Sequence, residues 1–234
     1  MLFMTVPTAA SRPELLASLI DNCGLPRQCI VIVATKPGLA FPEGVVVLED
    51  FESPNIQRWW ARGIAEAEHR GATSVAVVND DVRLVPSTLT TLENELVRTG
   101  AAIASPSRPP FHNGLHIRQL VPYERHLSGC LWVLRLDSDL RPDQRYTWWY
   151  GDDDLDIRAR RQFGGVVLAA VEFEHLHEGR ATATSPVLQA MSAQDAQTFE
   201  RQYARLLRMS RLIARRQRQR QTRKSTQAGA GTSQ

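Results

Sequence analysis

The chain has 234 residues, enough for one large domain or two small ones, and 43% hydrophobic with 23% charged residues is ordinary for a soluble globular protein. The net charge of +3 hides a division: residues 201–224 hold ten of the 28 Lys and Arg and no Asp or Glu, which leaves 18 basic against 25 acidic side chains elsewhere. The body is therefore near −7 and the tail near +10, which argues against a nucleic-acid-binding body and leaves an anionic surface as a partner for the tail.

Leu2 to Val6 reads as a short apolar strand with no basic signal-peptide start, so a cytoplasmic location, peripheral to a membrane at most, is expected. After the turn at residues 7–11, Ser11 is placed as N-cap and Pro13 near the start of a helix that runs to Asn22. Cys29 to Ala34 is a continuous apolar run, as expected of a strand buried on both faces of a parallel sheet. Val45 to Leu48 repeats the pattern. Ser53-Pro54 opens a helix with Ile56, Trp60 and Ile64 on one face, and Gly71 ends it. Ser74 to Val78 is the next strand, residues 86–100 the next helix, and Ala101 to Ser105 a further short strand.

This alternation argues for an α/β parallel sheet, in which a ligand sits beyond the carboxyl ends of the strands. Residues 106–128 read as loop. Cys130 to Leu136 is a strand. A helix starts near Asp153, with Leu155, Ala159 and Phe163 on one face and Gly164-Gly165 as its stop. Val166 to His177 reads as one long strand. From about Ser192 a helix enters the basic tail. The domain organisation expected is one α/β domain over 1–190, a C-terminal helix with basic tail over 191–224, and a disordered end over 225–234. The three cysteines (Cys23, Cys29, Cys130) are odd in number and lack metal-ligand spacing, so they read as free thiols.

The charge clusters carry the functional signal. Asp152, Asp153, Asp154 and Asp156 fall within five positions, behind Trp148-Trp149-Tyr150-Gly151. Asn79-Asp80-Asp81 closes an apolar strand some seventy residues earlier, and His175-Leu176-His177 follows late. Like charges at this density repel, and a metal ion, an arginine cluster or a helix N-terminus is needed to offset them. His175 and His177 alternate on a strand and so share a face, where an imidazole can ligate a metal. The three aromatic residues suit either sugar stacking or core packing.

The order of these motifs resembles a family 2-type glycosyltransferase of the GT-A fold over residues 1–185. Val6-Pro7-Thr8 with Arg12-Pro13-Glu14-Leu15-Leu16 resembles the family's first strand and "PT-x-R-x-x-L" helix start. Val77-Val78-Asn79-Asp80-Asp81-Val82 resembles its metal-binding motif. Ser128-Gly129-Cys130-Leu131-Trp132-Val133-Leu134-Arg135 resembles the strand beside the donor sugar. Gly151 to Ile157, with Arg158 and Arg161, resembles the acceptor-side "ED-x-DL-x-x-R" motif. Glu174-His175-Leu176-His177 resembles the strand-end histidine that closes the metal site. Asn55 to Trp60 resembles the same segment of short glycosyltransferases from bacteriophage genomes. Two positions depart from the pattern: Ala34-Thr35-Lys36 stands where an acid often holds the nucleotide base, and Ala61-Arg62-Gly63 replaces "N-x-G".

The resemblance implies a mostly parallel central sheet flanked by helices, a nucleotide-sugar donor, a glycan, protein or lipid-linked hydroxyl acceptor, and Mn²⁺ or Mg²⁺ as cofactor. It places Pro7, Thr8, Thr35, Asp80 and Gly129 around the donor and Asp81 with His177 or His175 on the metal. Asp154, with Asp153 beside it, is the expected general base, and the reaction expected is an inverting single displacement. Two alternatives remain at this level: a nucleotidyltransferase-like enzyme on a related fold, and a module that binds a nucleotide sugar without turnover.

Overall fold

The computed structural model describes residues 1–107, 113–118, 120–176 and 183–230, and beyond residue 216 it describes the side chain of Gln219 alone. The first half runs β1 (Leu2–Thr8), α1 (Pro13–Asn22), β2 (Ile30–Ala34), β3 (Val46–Glu49), α2 (Ile56–His69), β4 (Ser74–Val78), β5 (Val82–Leu84) and α3 (Thr88–Thr99). The second half runs β6 (Ile103–Pro106), β7 (Gly114–His116), β8 (Leu131–Arg135), α4 (Gly151–Gln162), β9 (Val166–Ala169), β10 (Phe173–His175), α5 (Pro186–Gln202) and α6 (Ala204–Ala230).

Eight strands form one sheet in the order β3-β2-β1-β4-β8-β6-β9-β7. β3, β2, β1 and β4 are mutually parallel, and β8 enters antiparallel between β4 and β6. This is the GT-A-type sheet expected, flanked by helices. Strand periodicity sorts the apolar side chains onto two faces. Met4, Val6, Ile30, Ile32, Ala76 and Val78 pack with Leu16 and Leu19 of α1 and Leu92 and Leu96 of α3. Phe3, Val31, Val75 and Val77 pack on the other face with Trp60 and Ile64 of α2 and Leu155 and Ala159 of α4. Gly63 sets the closeness of α2 to the sheet, because a Cβ there would stand 1.8 Å from Thr5 Oγ1.

Several local expectations change. Arg12, not Ser11, is the N-cap of α1, and no side chain caps it; Pro13 at N1 supplies the start signal instead. The expected 166–177 strand is two strands. The buried Val166–Ala169 run stays in the main sheet, whereas Phe173–His175 leaves it to pair antiparallel with β5, His175 opposite Val82. β5 and β7 are three residues each, too short to show a periodicity.

The C-terminal helices are continuous with the core. α5 starts at Ser185, whose side chain accepts from Leu188 N, and spans the boundary expected at residue 190. α6 reaches Ala230, into the stretch expected to be disordered; residues 231–234 lie outside the described residues. Phe199, Tyr203 and Leu206 from these helices pack on Tyr146, Leu120 and Ile157 as a third apolar cluster. Among the described residues no helix is long and apolar enough to cross a membrane.

Candidate functional site

The parallel strands end along one edge, and Thr8, Thr35 and Asp80, expected on the donor side, gather there. Thr8 closes β1, and its Oγ1 donates to Asp80 Oδ2 at 2.5 Å while accepting from Ala10 N at 2.8 Å. Thr35, just past β2, donates its backbone N–H and its hydroxyl to Thr8 O at 2.9 and 3.1 Å. Thr8, Thr35 and Asp80 therefore form one cluster, whereas Pro7, the residue before Thr8 in β1, makes none of these bonds. Burial raises the Asp80 carboxyl above its ordinary value; the Thr8 bond opposes this, the Asp81 charge adds to it and Arg12 opposes it.

Asp81 meets His175 beyond the end of β4, with His175 Nε2 3.2 Å from Asp81 Oδ1. The backbone holds the pair in register, since Leu176 N donates to Asp81 O at 3.1 Å. The Asp81 carboxylate first, and the Cys130 thiol next, push the imidazole up to about 10. His177 lies outside the described residues. Among those described, no three His, Cys, Asp or Glu side chains are gathered closely enough to hold a metal unaided. One carboxylate and one imidazole suit Mn²⁺ or Mg²⁺ when a diphosphate supplies further oxygens, and binding there requires the imidazole to lose its proton.

The start of β8 bridges this cluster to the second one. Asn79 N donates to Cys130 O at 2.9 Å. On the other side, a Cβ on Gly129 would lie 2.7 Å from Asp152 Oδ2. The absence of a side chain at Gly129 is what lets the α4 carboxylate approach the segment leading into β8.

The four acidic residues of α4 are sorted by helical direction, since each step turns the side chain by about 100°. Asp152 faces Gly129 and is 8% exposed; its Oδ1 accepts from Asp153 N at 3.1 Å. Burial first, then the Asp153 charge, push it up to about 6, with Arg125 opposing. Asp153 accepts from Tyr123 OH at 2.6 Å, and Arg125 Nη1 stands 3.5 Å from its other oxygen. Asp154 turns away from Gly129 and the strand ends. It has no accessible surface, its Oδ1 accepts from Tyr203 OH at 2.6 Å and Gln202 Nε2 at 2.9 Å, and its Oδ2 accepts from Arg158 Nε at 2.7 Å. Asp156 is buried with Arg160 at 2.7 Å and is pushed up to about 7, chiefly by burial.

The expected pair of bases is thus separated. Asp153 lies beside Asp152 against Tyr123 and Arg125, whereas Asp154 fastens α4 to the C-terminal helices. The helix begins at Gly151 rather than near Asp153, so three successive acids occupy its first turn and diverge.

Other contributors carried weaker sequence signals. Asp195 of α5, 1% exposed, accepts from Thr147 N at 3.0 Å, Trp148 N at 2.7 Å and Trp149 N at 2.9 Å, and so fixes the segment entering α4. Trp148 meets Trp59 edge-on at 6.2 Å and Tyr150 lies 5.1 Å from Phe199, so both serve packing. Gln57 fills the space over Gly151, where a Cβ would come within 2.0 Å of its amide. Asp50, after β3, binds Arg58 at 2.7 Å and Arg62 at 2.9 Å. Burial alone would raise its carboxyl, but the two arginines outweigh it and hold it at about 2. Tyr123 and Arg125 come from the 106–128 stretch, whose sequence shows a loop but no partner.

No protein-family model and no curated protein matches the chain. Solved structures do. S. aureus TarS 1–349 aligns with a TM-score of 0.52 at 10% identity, over 73% of this chain and 58% of that one. Its complex with UDP gives 0.54 at 15% identity over 74% and 59%, and its complex with UDP-GlcNAc gives 0.51 at 13% over 76% and 61%. The chain thus spans about three fifths of TarS 1–349, and at these identities the likeness is one of fold.

Proposed function

We propose that this chain is a metal-dependent glycosyltransferase that moves a sugar from a nucleotide-sugar donor to a hydroxyl acceptor, with Asp152 as general base. One observation carries the reading: Gly129 and Cys130 join an Asp80–Asp81–His175 cluster at the strand edge to the Asp152–Asp153 turn of α4. A leaving diphosphate and an attacking hydroxyl need these two clusters on either side of one anomeric carbon. The fold likeness to TarS, solved with UDP and with UDP-GlcNAc, makes UDP-sugars the first donor class to test.

The roles follow from the chemistry. Thr8, Thr35 and Asp80 line the edge that receives the nucleotide. Asp81 and His175 would hold Mn²⁺ or Mg²⁺, which supplies Lewis-acid stabilisation of the charge that builds on the diphosphate. Ionised Asp152 takes the acceptor proton as the hydroxyl oxygen bonds to the anomeric carbon and the bond to the diphosphate breaks. Burial first, and the neighbouring Asp153 next, raise the Asp152 carboxyl to about 6, and Tyr123 and Arg125 fix Asp153 in place beside it. Attack opposite the leaving group inverts the anomeric centre.

The test is a panel of UDP-, GDP- and dTDP-sugars read by thermal shift with and without Mn²⁺, followed by product analysis. A cation-dependent shift and release of nucleoside diphosphate support the reading. Pyrophosphate release would instead mark nucleotidyl transfer, and donor binding indifferent to chelator would remove the metal.

A further inference from the structure

At the far end of α4 from Asp152 lies a groove of about 440 Å³. Leu120, Leu206 and Met209 form its apolar lining, and Arg118, Arg161 and Arg205 stand around it. Arg161 is nine residues past Asp152, about 14 Å along the helix axis, so the groove is separate from the proposed cleft. Among the described residues none of these three arginines has a carboxylate partner; Arg161 lies over the Tyr203 ring at 5.6 Å. Three unpaired guanidinium groups around an apolar floor call for a ligand with an anionic head and an apolar body.

The adjoining face of α6 extends the same chemistry. Arg205, Arg208, Met209, Leu212, Arg215 and Arg216 follow helical spacing along one exposed stripe. Met209 and Leu212 are 54% and 51% exposed in the middle of it. A polyanion in water would leave these two side chains wet. A bilayer takes them into its interfacial region while its headgroup phosphates meet the arginines.

We propose that α6 and this groove form a docking surface for an acidic phospholipid bilayer, with a headgroup phosphate seated between Arg118, Arg161 and Arg205. Vesicle flotation of the full chain tests it, with phosphatidylcholine vesicles against phosphatidylcholine–phosphatidylglycerol vesicles. The protein is expected to float with the acidic vesicles alone and to detach as salt rises. Replacing Arg118, Arg161 and Arg205 together by Ala should weaken that binding about a hundredfold, roughly fivefold for each guanidinium at the surface. Met209→Ser with Leu212→Ser, both exposed and harmless to folding, should weaken vesicle binding severalfold but leave binding to soluble polyphosphate unchanged. Equal flotation with neutral vesicles, or full binding by the Arg variant, overturns the proposal. So does tight polyphosphate binding with vesicle affinity indifferent to the Met209 and Leu212 changes, which would make the partner a soluble polyanion.

Discussion

Asp152→Asn separates catalysis from folding in one substitution. The carboxyl is held at about 6, two units above an ordinary aspartate near 4. A raised value in the fold means that the ionised form is disfavoured there. The cost is absent below pH 4, grows between pH 4 and 6, and is complete above 6, where two units correspond to about 3 kcal/mol at most. Asn keeps an oxygen for Asp153 N, and Arg125 keeps Asp153 as its partner. The variant should therefore be more stable than the parent at pH 7.5, by up to about 3 kcal/mol or roughly 6–12 °C in Tm, and equal to it at pH 4. Its turnover should fall about 10²–10⁴-fold, because the proton acceptor is gone. In the parent, kcat/KM should rise about tenfold per pH unit up to pH 6 and then level, and the variant should lack this limb. Nucleoside diphosphate release with a working acceptor and paired thermal melts give both readouts. A variant that turns over at the parental rate, or that is less stable at pH 7.5, would refute the assignment.

Asp154→Asn should do the reverse: about 2–4 kcal/mol of stability lost in chemical denaturation, since an amide nitrogen would face a donor in a buried site, with kcat of the folded fraction changed less than tenfold. Asp81→Ala should remove Mn²⁺-dependent donor binding, measured by calorimetry, while the circular dichroism spectrum stays parental. Asp50 sits at about 2, below its unfolded value, so its contribution is present above pH 4 and is lost as pH falls through 2. Asp50→Asn should cost about 2 kcal/mol in urea melts at pH 7 and almost nothing at pH 2.

How much of this was legible depended on how far each signal reaches along the chain. β1, β2 and β4 are continuous apolar runs buried on both faces, so composition alone reveals them. The cluster at the strand ends was legible for the same reason: Thr8, Thr35 and Asp80-Asp81 stand where such runs stop. β10 was not, because its three residues follow β9 with no turn signal strong enough to mark the departure from the main sheet. Nor was Asp195, whose three backbone partners lie some 47 residues away and leave no periodic trace. Its burial follows from tertiary packing of α5, which the sequence shows only as a helix.

The acidic run shows why residue type and spacing stop short of roles. Four carboxylates in one helical turn and a half look equivalent in sequence, and each suits either capping or catalysis. What distinguishes them is what the rest of the chain brings to each direction around α4. The 123–125 segment and Gly129 receive Asp152 and Asp153, whereas Tyr203 and Gln202 arrive from the C-terminal helices to fill the hydrogen-bonding capacity of Asp154. A carboxylate whose lone pairs are occupied and whose surface is covered has no route to an acceptor proton. One that is buried beside a like charge and edged by a glycine, as Asp152 is, is the one the proposed reaction assigns as base. The C-terminal helices thus position the proposed site from behind: Asp195 sets the entry to α4 and Tyr203 fixes its first turn, which leaves Asp152 facing Gly129.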